Sequence, residues 1–102
     1  MRDETRRPHE LRYVLFEEES AWVAICLEHY IGAQGSTKED AEQGLKTVYR
    51  AELDYSLQRS GIPFHGIMPA PQRFHDMWES GRADVVCNTI YDKNAAAEAL
   101  AA

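Results

Sequence analysis

Cysteine is scarce in this sequence, and closely spaced metal-binding residues are absent from it. Cys26 and Cys87 are the two cysteines, and each lies within an apolar run typical of a strand. A disulfide framework and a Cys-x-x-Cys zinc site are therefore disfavoured, and we predict that both side chains are buried core residues. The four histidines show neither His-x-His nor His-Glu-x-x-His spacing, so the sequence predicts no metal site and no cofactor.

Long apolar runs are absent as well. No stretch reaches the roughly 18 consecutive apolar residues of a membrane-spanning helix. The basic residues within 1–8 are not followed by the apolar segment of a signal peptide. We therefore expect a cytoplasmic protein without a membrane partner.

Acidic residues outnumber basic ones. The chain has 11 lysines and arginines against 17 aspartates and glutamates, which gives a formal net charge of −6 at pH 7. A surface of that charge repels nucleic-acid phosphates, so we expect no direct nucleic-acid partner. The charge favours a basic protein as the partner.

Two segments with a hydrophobic period of two predict a β-hairpin. They run from Leu11 to Phe16 and from Ala21 to Leu27, and the acidic segment Glu17–Ser20 separates them. Alternation on both sides of a short polar break is typical of antiparallel strands joined by a turn. A third short strand is predicted over residues 30–34.

A long helix is predicted after the third strand, where the hydrophobic period changes to 3.6. Thr37 is the predicted N-cap, and Glu39 and Asp40 follow in the first turn, where the helix dipole favours negative charge. The helix continues to about Arg59 and ends before Gly61, which suits a left-handed cap.

The rest of the chain predicts a short helix and a last strand. The helix covers Pro71 to Ser80, with Phe74 and Trp78 on one side, and Gly81 ends it. The last strand covers Asp84 to Tyr91.

These elements together predict one α+β domain. A three- or four-stranded antiparallel sheet carries the long helix on one face, with the short helix as a second helical element. Residues 1–10 are predicted to be a flexible arm, residues 11–92 the domain, and residues 93–102 a flexible alanine-rich tail.

The long helix presents more apolar surface than one sheet face needs. Tyr49, Leu53, Tyr55 and Leu57 belong to an apolar stripe that covers over half of its circumference, with Glu52 near the middle. Either the short helix or a second subunit would have to cover the excess. We predict a homodimer or higher oligomer with Tyr49, Leu53 and Leu57 at the interface.

The first half of the chain resembles the HicB family. Trp22-Val23-Ala24 after the acidic turn, and Gly35, Thr37, Glu39 and Ala41 at the helix start, carry the resemblance over roughly the first 60 residues. Pro69-Ala70-Pro71 followed by an aromatic helix also resembles stand-alone HicB-like domains. HicB proteins are the antitoxins of bacterial HicA–HicB toxin–antitoxin pairs, together with orphan relatives.

The resemblance implies a binding role. HicB antitoxins sequester HicA, a small basic toxin that cleaves mRNA, so a HicA-like toxin is the implied partner. Glu17, Glu18, Glu19 and Trp22 are the predicted partner-binding residues, and a core position is the alternative for Trp22. HicB antitoxins usually carry a C-terminal DNA-binding segment. The few basic residues after Gly81 predict none here.

The resemblance also raises a nuclease, because the HicB fold is described as a partial RNase H fold. A two-metal nuclease needs carboxylates in the middle of its first strand. This sequence has Val14, Leu15 and Phe16 there, and it lacks the nucleophile-elbow, P-loop and dinucleotide motifs of other enzymes. We therefore predict no catalytic residues and no enzyme. A non-catalytic oligomeric small-molecule-binding or structural module is the first alternative, and a residual metal-dependent nuclease is the second.

Overall fold

The computed structural model describes residues 10–91, and these residues form the predicted α+β fold, with four strands and two helices. The predicted arm, apart from residue 10, and the predicted tail lie outside the described residues. Along the chain the elements are β1 (Leu11–Glu18), β2 (Ala21–Cys26), β3 (Gly32–Gly35), α1 (Lys38–Ser60), α2 (Gln72–Ser80) and β4 (Val86–Ile90).

The four strands form one antiparallel sheet in the order β3-β2-β1-β4. β1 and β2 form the predicted hairpin, which closes with Glu18 opposite Ala21. β4 returns to the other side of β1, where Val86 lies opposite Leu15. β1 is consequently an inner strand, and β3 and β4 are the two edges.

One face of the sheet packs against α1. The side chains of Tyr13 and Leu15 on β1 point to this face and meet Leu45 and Leu53 of α1. The core on this face consists of Leu11, Tyr13, Leu15, Ala24, Cys26, Ile31, Ala41, Leu45, Tyr49, Leu53, Phe64 and Ile90.

The opposite face of the sheet packs against α2. Because successive residues of a strand point to opposite faces, Val14 and Phe16 belong to this second core. The Phe16 and Phe74 rings stack there with their centroids 6.1 Å apart. The second core consists of Val14, Phe16, Ile25, Leu27, Ala70, Phe74 and Val85. α2 therefore lies across the sheet from α1 and does not cover it.

Phe64, from the loop after α1, covers the part of α1 that the sheet leaves open. Its ring centroid lies 5.4 Å from that of Tyr49 and 5.1 Å from that of His29, and the residue is 1% exposed. The Ser56 hydroxyl accepts a hydrogen bond from the Phe64 amide at 2.8 Å and donates one to the Leu53 carbonyl at 2.9 Å. The chain itself supplies the cover for which the sequence suggested α2 or a second subunit.

The residues of the predicted oligomer interface lie in the core of their own chain. Tyr49 and Leu53 are 2% and 0% exposed, and Leu57 is half-buried against the same core. Tyr55, in contrast, is 58% exposed. The buried stripe is narrower than the sequence suggests, and the side chains of Tyr49 and Leu53 offer almost no surface to a second subunit.

The two cysteines differ in burial. Cys26 is 0% exposed, as predicted, and burial raises the pKa of its thiol to about 12, so it is unreactive at neutral pH. Cys87 is exposed, and the prediction that it is a core residue is wrong. It lies on β4, an edge strand whose middle residues are open to solvent.

Both ends of α1 use the predicted capping residues. Thr37 Oγ1 accepts a hydrogen bond from the Asp40 amide at 3.0 Å. At the other end Gly61 adopts a φ of 77°, and its amide donates to the Leu57 carbonyl at 2.9 Å. Side-chain acceptance at the N-terminus and a left-handed glycine at the C-terminus satisfy backbone groups that the helix leaves unpaired.

β3 and the start of α1 approach each other closely at Gly35. A β-carbon on Gly35 would lie 2.5 Å from the Asp40 Cβ and 2.7 Å from the Ala41 backbone nitrogen. Those atoms belong to the first turn of α1, so they cannot move without moving the helix.

We expect Gly35→Ala to lower the free energy of unfolding by about 1–3 kcal/mol, because α1 would have to shift away from β3. Urea denaturation followed by circular dichroism measures the change. Gly32→Ala is the matched control, since its closest contact would be the end of the Ile25 side chain at 2.7 Å, which can rotate away. Equal losses for the two variants would contradict this account.

Arg12 connects β1 to two neighbouring segments. Its Nε and its backbone amide donate to the two carboxylate oxygens of Glu28 at 2.6 and 2.8 Å, and its guanidinium lies 5.1 Å from the Trp78 ring centroid. Burial raises the pKa of the Glu28 carboxyl, but the hydrogen bonds and charge of Arg12 outweigh it. The pKa therefore lies below its ordinary value of 4.5.

We expect Glu28→Gln to lower the free energy of unfolding by about 1–2 kcal/mol at pH 7, because the ion pair and its charge-assisted hydrogen bonds are lost. A depressed pKa contributes stability above pH 4.5, and this contribution disappears as the pH falls through the folded-state pKa. Urea denaturation at pH 7 and pH 3 should thus show a difference from the wild type that shrinks in acid. A difference that is the same at both pH values would refute the linkage, and Glu18→Gln, at an exposed position, serves as the control.

Candidate functional site

A two-residue turn joins β1 and β2 in an unusual backbone conformation. Glu19 and Ser20 have φ values of 51° and 68°, and the flanking residues Glu18 and Ala21 are paired. Positive φ at both central residues is the geometry of a type I′ hairpin turn, which matches the twist of the strands. Each non-glycine residue in the left-handed region costs about 1–2 kcal/mol, so this turn is locally unfavourable.

An open groove of about 370 Å³ lies beside this turn. We call it the acidic groove. It is formed where the hairpin, the start of α1 and the start of β4 meet. Its lining residues are Glu17, Glu19, Ser20, Trp22, Lys38, Ala83, Asp84 and Val86.

Strand pairing determines what stands on each side of Trp22. Glu17 on β1 lies directly opposite it, and Gly35 on β3 lies opposite it on the other side. Gly35 has no side chain, and the first turn of α1 packs closely against it. Lys38 enters from the first turn of α1, and its Nζ lies 5.3 Å from the Trp22 ring centroid. Trp22 itself is half-buried against the α1 core, so the core position considered as the alternative holds in part, and the residue also lines the groove.

Two of the carboxylates in the acidic groove are free. Within residues 10–91, Glu17 and Glu19 make no hydrogen bond or ion pair through their side chains, and both are exposed. Asp84, by contrast, receives hydrogen bonds from Arg82 at 3.0 and 2.7 Å. These bonds lower the pKa of the Asp84 carboxyl and raise that of the Arg82 guanidinium. The groove is therefore lined by one paired carboxylate, one lysine and two carboxylates without a side-chain partner in residues 10–91.

Three of the four predicted partner-binding residues share this groove. Glu17, Glu19 and Trp22 line it, whereas Glu18 is exposed but does not line it, because adjacent strand residues point to opposite faces. Lys38 and Asp84 also line the groove and were not among the residues predicted from the sequence. The position of Lys38 directly after the Thr37 helix cap was the one feature of the sequence that could have pointed to it.

A second, smaller cavity of about 160 Å³ lies at the end of α1. Arg59 lies over the exposed Tyr55 ring there, 5.8 Å from its centroid. The cavity is lined by Glu52, Tyr55, Ser56, Arg59, Ser60, His65, Gly66 and Ile67. Outside this cavity, the His75 ring is hydrogen-bonded to the Ala70 carbonyl at 3.1 Å. In the described part of the chain, no three His, Cys, Asp or Glu residues are placed to hold a metal ion.

No protein-family model, no curated protein and no solved structure matches this chain. Between residues 10 and 91, neither helix combines the length and the apolar composition that crossing a bilayer requires. The chemistry of the acidic groove is therefore the feature that indicates a function.

The turn beside the groove yields a prediction about stability. We expect Ser20→Gly to raise the free energy of unfolding by about 1 kcal/mol, because glycine adopts positive φ without the steric penalty that serine has. Thermal and urea denaturation measure the gain. Ser36→Gly, at an exposed position outside the hairpin turn, is the comparison variant. A loss of stability in Ser20→Gly would show that the serine side chain supports the turn.

Proposed function

We propose that this chain is a non-catalytic binding protein that holds a small basic protein in its acidic groove. In its most specific form, the proposal is that the chain is a HicB-like antitoxin or orphan regulator that neutralises a basic mRNA-cleaving toxin. The observation that carries the binding role is the presence of two carboxylates, Glu17 and Glu19, that are unpaired within residues 10–91 and lie beside the half-buried indole of Trp22.

The groove has the composition of a protein-recognition site. A partly buried aromatic side chain supplies apolar contact area, and tryptophan is enriched among residues that contribute most to binding. The carboxylates around it supply charge complementarity to a basic surface, which raises the rate of encounter and selects among partners. The net charge of −6 extends this attraction over the whole chain.

The HicB resemblance supports the choice of partner. Of the residues that carry it, Trp22 lines the groove, and strand pairing places Gly35 opposite Trp22. The alternative of an oligomeric structural module has less support, since Tyr49 and Leu53 are buried within their own chain.

Titration calorimetry tests the proposal with any small basic protein that a reading frame adjacent to this gene encodes. We expect Glu17→Gln/Glu19→Gln to weaken its binding about ten-fold or more, because two charges facing the partner are removed. Glu18→Gln/Glu79→Gln is the matched control, as it removes two exposed charges that do not line the groove.

Two results would contradict the proposal. If both double variants weaken binding equally, net charge rather than the groove attracts the partner. If no basic protein is encoded beside this gene, the antitoxin form of the proposal fails.

A further inference from the structure

Lys38 covers the aromatic wall of the acidic groove in the free chain. Its Nζ lies 5.3 Å from the Trp22 ring centroid. Glu17, Glu19 and Asp84 line the same groove, yet within residues 10–91 Lys38 makes no ion pair with any of them. The Trp22 indole is thus already in contact with a cation, the Lys38 ammonium, which makes no ion pair with a carboxylate of the groove among the described residues.

The face of the Trp22 ring can accept a cation. The groove also offers that cation carboxylates with which Lys38 makes no ion pair in the part of the chain that the structure describes. The face of an indole attracts positive charge through its quadrupole. A planar guanidinium can stack on the ring and at the same time direct its N–H groups to carboxylates. The Lys38 ammonium lies over the ring but pairs with no groove carboxylate within residues 10–91. In the described part of the chain, Glu17 and Glu19 are the groove carboxylates without partners, and Glu17 stands directly opposite Trp22.

We propose that the acidic groove binds one arginine side chain of the basic partner, in the place that Lys38 occupies in the free chain. The guanidinium stacks on Trp22 and pairs with Glu17 and Glu19, while the displaced Lys38 turns out into solvent. Lys38 is exposed at the start of α1, so its release exposes no buried charge. This inference rests on the proposed docking role of the same groove.

A titration with short blocked peptides tests the proposal. The probe is acetyl-Gly-Arg-Gly-amide, and the matched probe replaces arginine with neutral, isosteric citrulline. The Trp22 indole N–H signal in NMR spectra reports binding, and a Trp78→Phe variant assigns it. We expect the arginine peptide to shift this signal and the citrulline peptide to leave it in place.

Two pairs of variants follow from the displacement of Lys38. Lys38→Met should tighten binding of the arginine peptide about two- to five-fold, because the competing cation is gone. Lys46→Met, an exposed position on the same helix, makes the same change in charge and should alter binding less. Glu17→Gln should weaken binding more than Glu18→Gln. Far-ultraviolet circular dichroism confirms that each variant is folded.

The outcomes separate this proposal from the function it rests on. Equal behaviour of Lys38→Met and Lys46→Met, or equal binding of the citrulline peptide, would overturn the arginine site. If the whole basic protein still binds through Glu17 and Glu19 in that case, the docking role stands and only the arginine site is wrong. If that binding does not depend on Glu17 and Glu19, both proposals fall.

Discussion

β1 carries apolar side chains on both of its faces, and two separate layers pack against them. Tyr13 and Leu15 require cover on one face, which α1 provides, and Val14 and Phe16 require it on the other, which α2 provides. Burial of a large apolar side chain contributes about 1.5–3 kcal/mol, so neither layer can be removed without a large loss. The remaining elements are placed by this requirement, since β4 completes the sheet on one side of β1 and β2 on the other.

The features that the sequence predicted depend on residues close together in the chain. The cap at Thr37 acts on a residue three positions away, and the stop at Gly61 acts on one four positions away. The burial of Phe64 was not predicted, because it depends on the loop folding back on α1. Hydrophobic periodicity in the sequence does not indicate such a contact. Cys87 was misjudged because an apolar run looks the same whether its strand is central or at an edge.

The part of the candidate site that depends on the register of the β1–β2 hairpin could be predicted from the sequence. Glu17, Glu19 and Trp22 meet because a hairpin with a two-residue turn sets their pairing, and that hairpin was visible in the sequence. Asp84 lies near them only because β4 pairs with β1 at the edge of the sheet, which is a contact between distant parts of the chain. Lys38 reaches the indole because α1 begins close to Gly35, which pairs with Trp22.

The hairpin turn beside the groove is unfavourable to folding. Phe64 also has a positive φ, of 57°, but its buried ring and its hydrogen bond to Ser56 compensate for that conformation. Within residues 10–91, the side chains of Glu19 and Ser20 make no such compensating hydrogen bond, and three adjacent glutamates end β1 there. Strain and like charge that folding does not need are features that cluster at binding sites. A partner that brings positive charge would relieve the repulsion, and so this end of the sheet is the part of the described structure that a partner would stabilise.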